Sequence, residues 1–165
     1  MSVTNIVLIG FMGCGKSSVG KLLAKKSEYY FLDTDAMIES SQGKSIVSIF
    51  EERGEAYFRC LEEETVDWLR SNVSKAIIST GGGMLVYCEA LKEVGKIIYL
   101  KVPFEAIVSR MSKEERSKRP LFQDMQKAKK MYEERDLIYT HKADLIIDAN
   151  TSLDEVLLRI SREIS

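Results

Sequence analysis

Apolar residues fall along the chain in two alternating rhythms. Short runs that are apolar at most positions, rich in Val, Ile and Leu, occur at Asn5–Ile9, Tyr30–Asp33, Ala76–Ser79, Lys96–Lys101 and Leu145–Asp148. Between them, apolar residues return at helical spacing, as in Val19, Leu22, Leu23 and Ala24. Strands that are apolar on both faces and alternate with helices predict an α/β fold, a five-stranded parallel sheet between two helical layers. In such a fold ligands gather at the carboxyl ends of the strands. No repeat, low-complexity tract or Pro/Gly linker divides the chain, so one domain over 1–165 is expected.

The helical segments differ in character. Gly54 to Asn72 carries Tyr57, Phe58, Leu61, Thr65, Trp68 and Leu69 at helical spacing, which predicts an inward face that includes Trp68. Pro103 to Arg110 reads as a helix opening with proline. Met111 to Gln123 is densely charged with few apolar anchors and is expected to be a mobile loop. Asp124 to Tyr139 is a helix whose Lys127–Lys130 run should face solvent. The last helix has Ser152 and Glu155 in capping-box spacing before Val156, Leu157 and Ile160.

The stretch Gly10-Phe11-Met12-Gly13-Cys14-Gly15-Lys16-Ser17 satisfies G-x-x-x-x-G-K-[ST] between a predicted strand and a predicted helix. Its glycines allow backbone N–H groups to turn onto phosphates, and the helix that follows offers its positive end. Lys16 then reaches the terminal phosphates, and the Ser17 hydroxyl becomes a ligand for Mg²⁺. Cys14 reads either as a reactive thiol at a helix start or as a small residue at a permissive position.

Asp33-Thr34-Asp35 follows the second strand. In an extended segment both carboxylates face one side; the same residues are also good helix caps ahead of Ala36 and Met37. Beside a phosphate site, one carboxylate can approach Mg²⁺ through water, and the other can accept a proton from an attacking hydroxyl. The third strand has no terminal Asp, so Asp33 takes over the metal-side task. Arg59, with Glu62 and Glu63 further along its helix, reads as a surface ion pair or as a fork for a substrate carboxylate, oriented by Glu62 beside a ring-covering Phe58. Gly81-Gly82-Gly83 permits close backbone approach to a ligand. Arg119 in the charged segment could close onto a transferring phosphoryl group, whereas a charged loop is often merely solvated. Arg135 returns toward the sheet edge.

Net charge is −1, from 24 basic and 25 acidic residues in 165, which gives no bulk attraction for nucleic acid or membranes. Three separated cysteines and one histidine argue for reduced thiols and against zinc. No signal-peptide layout or membrane-length apolar run occurs. A monomeric cytoplasmic protein without nucleic-acid or membrane partners is expected.

These motifs, in this order and approximate spacing, resemble shikimate kinase over nearly the whole chain. The resemblance rests on the Gly10–Ser17 loop, Asp33-Thr34-Asp35, Phe58-Arg59, Gly81–Gly83, Arg119-Pro120-Leu121 and Arg135 to Tyr139. It implies a P-loop NTPase fold of the nucleoside-monophosphate-kinase type, with a substrate-binding region at about 33–62 and a mobile lid at about 111–123. It further implies ATP-dependent phosphorylation of the 3-hydroxyl of shikimate, with ATP as co-substrate and Mg²⁺ as cofactor. Gly13, Cys14, Gly15, Lys16, Ser17, Ser18, Arg110 and Arg119 would serve ATP, with Asp148 to Ser152 near the adenine. Asp35, Phe58, Arg59, Gly81, Gly82 and Arg135 would serve shikimate, and Ser17 and Asp33 the metal. Lys16, Asp35 and Arg119 would be catalytic, Asp35 as the base. Kinases for gluconate or nucleoside monophosphates share the phosphate loop, but the paired arginines beside Asp-x-Asp favour a small hydroxylated carboxylate. A GTPase-type switch would need Asp-x-x-Gly, which is absent, and its base motif is matched only imperfectly by His141-Lys142-Ala143-Asp144.

Overall fold

The computed structural model describes residues 4–164; Met1–Val3 and Ser165, at the ends of the expected domain, lie outside them. The elements run β1 (Asn5–Ile9), α1 (Lys16–Lys26), β2 (Tyr30–Asp33), α2 (Thr34–Gln42), α3 (Ile46–Asn72), β3 (Ala76–Ser79) and α4 (Met84–Tyr87). They continue through β4 (Gly95–Lys101), α5 (Phe104–Arg110), α6 (Lys113–Ser117), α7 (Met125–Lys142), β5 (Leu145–Asp148) and α8 (Leu153–Ile164). All strand pairs are parallel, in the order β2-β3-β1-β4-β5. β1 is therefore central and buried at every position. The register sets Leu8 beside Ser79 and Asp33 beside Ser79, which aligns the carboxyl ends of β1, β2 and β3.

Two hydrophobic layers cover the sheet. One joins Leu8, Val19, Leu23, Ile98 and Ile107 to Val156, Leu157 and Ile160. The other joins Val7, Ile78, Ile97 and Tyr99 to Val66 and Leu69 of α3 and Tyr139 of α7. A smaller cluster of Ile38, Ile49, Phe58 and Leu61 binds α2 to α3.

The structure corrects several details of the sequence reading. The helix expected over Gly54–Asn72 is present, but a further helical stretch from Ile46 precedes it in α3, and the two meet at a break at Gly54 (φ 81°, ψ 175°), a conformation that only glycine adopts readily. Trp68 is 51% exposed, not core. The buried face runs through Phe58, Leu61, Glu62, Val66 and Leu69, and a residue two positions past Val66 points about 200° away from it at 3.6 residues per turn. Met111–Gln123 is not an unanchored loop: Ser112 and Glu115 form a complete capping box on α6, a 3₁₀ turn spans Pro120–Gln123, and Met111 and Phe122 are buried. β2 ends at Asp33, so Asp35 stands in the first turn of α2 and not on an extended segment. At α8 only half of the capping box forms, because the Glu155 N–H donates to Ser152 Oγ while its carboxylate turns to Arg159.

Candidate active site

The loop between β1 and α1 reaches its shape through Gly13 and Gly15, whose φ values of 82° and 96° are poorly open to other residues. The Lys16 ammonium is buried and donates to the carbonyls of Gly10 (2.7 Å) and Phe11 (3.3 Å), so a cation is held at the centre of the loop. Cys14 is buried with Sγ 3.8 Å from Lys16 Nζ, filling space against Gly10. Ser18 is exposed on the first turn of α1. Phe11 anchors the loop from below, edge-on to Phe104, Phe122 and Tyr132.

Ser17 Oγ donates to Asp33 Oδ2 (3.0 Å) and lies 3.3 Å from Ser79 Oγ. The other oxygen of Asp33 accepts the Ala36 N–H and caps α2. Asp33 thus occupies the cap position and stands beside Ser17, so the two readings of Asp33 are compatible. These oxygens suit a hard cation such as Mg²⁺. Among the described residues no cluster of three or more His, Cys, Asp or Glu side chains could hold a metal ion.

Asp35 and Glu62 face the turn after β3. A Cβ on Gly81 would lie 2.7 Å from Asp35 Oδ1 and 3.3 Å from Glu62 Oε1, and both oxygens are buried without a hydrogen-bond partner among the described residues. Burial pushes the Asp35 carboxyl above its ordinary range; the Asp33 and Glu39 carboxylates add to this, and Lys16 and Arg59 oppose it. A raised aspartate is a stronger proton acceptor once ionised.

Arg59 donates through Nη1 to Glu62 Oε2 (2.6 Å) and through Nε and Nη2 to Glu55 Oε1 (3.4 and 3.1 Å). Burial disfavours its charge, but the two carboxylates more than offset this and keep the guanidinium ionised. Glu62 is 1% exposed; burial raises its carboxyl and Arg59 lowers it, with the upward direction prevailing. Phe58 is buried against Phe50, their ring centroids 4.7 Å apart.

Arg135 comes from α7, whose register is set by Asp136: Tyr99 donates to it at 2.6 Å and Lys101 at 3.2 Å. One turn on, the Tyr139 hydroxyl donates to the Gly82 carbonyl, and burial raises its phenol pKa. Arg135 is 9% exposed, and its Nη1 lies 3.4 Å from the position of a Cβ on Gly82. Both arginines meet at Gly83, where a Cβ would lie 2.8 Å from Arg59 Nη1 and 3.2 Å from Arg135 Nη2. The Gly81 N–H donates to Thr34 Oγ1 at 3.1 Å, tying the glycine turn to α2.

On the other side of the phosphate loop, Arg119 Nη1 lies 3.7 Å from the position of a Cβ on Gly13. Arg110 donates to Asn150 Oδ1 (3.1 Å) and lies within 3.5 Å of the Ala149 carbonyl, in the turn after β5. Thr34, Glu55 and Tyr139 were given no site role from sequence, and Gly83 was read only as part of the glycine turn. Only Tyr139 carried a readable signal, being one helical turn from Arg135.

A phosphate loop at the end of the central strand, a Ser–Asp pair beside it and a separate pocket of paired arginines define a P-loop kinase. The chain belongs to the shikimate kinase family, whose model, described as "Shikimate kinase", matches residues 12–165. A shikimate kinase of Helicobacter hepaticus is 44% identical over 156 residues, 94% of this chain and 93% of that protein. One from Clostridium botulinum is 44% identical over 163 residues, 96% and 94% of the two chains. Among solved structures, the shikimate kinase of Acinetobacter baumannii in complex with shikimate superposes with a TM-score of 0.88 at 34% identity, covering 98% of this chain and 93% of that one. The Aquifex aeolicus shikimate kinase superposes with a TM-score of 0.83 at 36% identity, covering 97% of this chain and 95% of that one.

Proposed function

We propose that the chain transfers the γ-phosphoryl group of ATP to the 3-hydroxyl of shikimate, giving shikimate 3-phosphate and ADP, a step of aromatic amino-acid biosynthesis. One observation carries the assignment of residues: Arg59 and Arg135 converge on Gly83 while Asp35 turns a buried, unpartnered oxygen toward Gly81. That arrangement suits a small anion carrying hydroxyl groups. The arginines grip its carboxylate, with backbone near Gly82, and Asp35 accepts the proton of the attacking hydroxyl.

The phosphate loop and the substrate pocket share the carboxyl edge of the sheet, so in-line transfer needs mainly positioning and electrostatic stabilisation. Gly13, Cys14, Gly15 and Ser18 line the polyphosphate, and Lys16 turns from its own loop carbonyls to the terminal phosphates. Arg119, from a lid at about 111–123, neutralises charge on the transferring group, and Arg110 borders the base. Ser17 holds Mg²⁺, with Asp33 acting through water. When bound, the ion neutralises phosphate charge. Residues 33–62 form the substrate-binding region of one domain. The protein acts as a cytoplasmic monomer without nucleic-acid or membrane partners; among the described residues no helix is long and apolar enough to cross a membrane.

The test is ADP release from ATP and Mg²⁺ with and without shikimate, with gluconate and nucleoside monophosphates as controls. A rate that appears with shikimate alone is expected. Turnover with another acceptor would overturn the roles given to Arg59 and Arg135.

A further inference from the structure

Arg59 is held from three directions, and only two of them are carboxylates. Glu62 and Glu55 bind donors in the plane of the guanidinium. The third contact is to its face: the Tyr87 ring centroid lies 4.0 Å from Arg59 Cζ, nearer than the 5.3 Å of the neighbouring Phe58 ring.

Tyr87 ends α4, the single turn that follows Gly81–Gly83, and its N–H donates to the Gly83 carbonyl. The ring is therefore carried by the same turn toward which Arg59 and Arg135 point. It is 51% exposed, so it contributes little to the core. A ring on the guanidinium face uses no N–H group, which leaves the in-plane donors to carboxylates.

We propose that Tyr87 is a positioning residue for substrate capture, stacking on Arg59 so that its fork stays aligned with the glycine turn. The inference rests on the reading of Arg59 as a carboxylate-binding residue. Through Tyr87 the arginine of α3 and the backbone of Gly81–Gly83 act as one rigid unit. Without the ring, Glu55 and Glu62 still hold the guanidinium edge-on, but the plane is free to tilt about those bonds. The loss falls on binding, because the group the ring stacks on is the Arg59 guanidinium.

The experiment compares wild type, Tyr87→Leu, Tyr87→Ala and Tyr87→Phe in steady-state kinetics, thermal unfolding and calorimetric titration with shikimate in the absence of nucleotide. Loss of a partly desolvated cation–π contact is expected to raise the KM and Kd for shikimate about three- to thirtyfold in the Leu and Ala variants. The kcat, the KM for ATP and the Tm should stay near wild type, and Phe should restore wild-type affinity, since the contact is to the ring. An unmoved KM in the Leu variant, a fall confined to kcat, or a Phe variant as weak as Leu would each overturn the proposal. Wild-type protein that neither binds nor phosphorylates shikimate would overturn the functional reading itself, whereas active wild type with an indifferent Leu variant would remove only the role of Tyr87.

Discussion

Gly83 and Arg59 approach so closely that a Cβ at position 83 would lie 2.8 Å from Nη1 and 3.0 Å from Nη2 of the guanidinium. The backbone of Gly83 is ordinary right-handed helical, so alanine fits its torsions. The neighbours that must give way are the flexible ends of Arg59 and Arg135. Gly83→Ala is therefore expected to fold with a near-native Tm while displacing the proposed substrate fork. Because hydrogen bonds to charged groups are worth about 1.5–3 kcal/mol, the KM for shikimate should rise about 10- to 100-fold. A KM near wild type in a folded variant would show that the fork is not needed at this position.

Asp35 gives a prediction in pH. Its folded-state pKa lies above the ordinary aspartate value of about 3.8, first through burial and then through the Asp33 carboxylate. A carboxyl raised on folding favours the folded state below its unfolded pKa, and that contribution is lost as pH climbs through the folded value. Asp35→Asn removes the penalty of a buried charge. The Tm of the variant relative to wild type should thus increase from acid toward neutral pH. The same substitution removes the proposed proton acceptor and should lower kcat about 100-fold or more. In wild type the acid limb of the kcat/KM profile should lie above the usual aspartate range. A variant that keeps its turnover would exclude Asp35 as the base.

Asp33 serves two neighbours with its two oxygens, the Ala36 N–H and the Ser17 hydroxyl. Asn and Asp cap helices about equally well, whereas alanine at a cap costs about 0.5–2 kcal/mol. Asp33→Asn should keep the stability of α2 but lose the charge beside Ser17, so the Mg²⁺ concentration for half-maximal rate should rise. Asp33→Ala should lose both. Titrating Mg²⁺ and measuring Tm on the two variants separates the roles; equal Mg²⁺ dependence in Asn and wild type would leave Asp33 as a cap only.

Sequence reading succeeded where a local rule decides the outcome. The five strands are β-branched and apolar enough to be read directly, with β4 differing only by starting at Gly95. The Gly10–Ser17 loop is defined by residue types at fixed spacing, and the pairing of Arg59 with Glu62 follows from their positions on one helix. It failed where faces or distant elements decide. Trp68 has helical spacing to Leu61 and Thr65, but the sheet selects the face through Val66 and Leu69 instead. Met111 and Phe122 were counted as few anchors, yet both ends of the charged segment are pinned by them. Tyr87 meets Arg59 only because α4 folds back against α3, and nothing in the local sequence of either announces it.

Gly54 supplies the last prediction, one of stability. It joins two helical stretches of α3 at φ 81° and ψ 175°, and nothing lies within 4 Å of the position a Cβ would take. Steric crowding is therefore absent, and the effect of Gly54→Ala is the conformational one alone. Holding a residue with a Cβ in this region costs about 1–3 kcal/mol. For a chain of this length each kcal/mol shifts Tm by about 2–4 °C, so a fall of about 2–12 °C is expected. The alternative open to the variant is to relax into continuous helix, which would rotate Ile49 and Phe50 relative to Phe58 and break the cluster with Ile38. Either response weakens the fold around Arg59. The two are distinguished by the KM for shikimate: strain that is simply tolerated lowers Tm and leaves KM near wild type, whereas straightening of α3 raises KM as well. An alanine variant with unchanged Tm and unchanged KM would mean that the break at Gly54 does not require glycine.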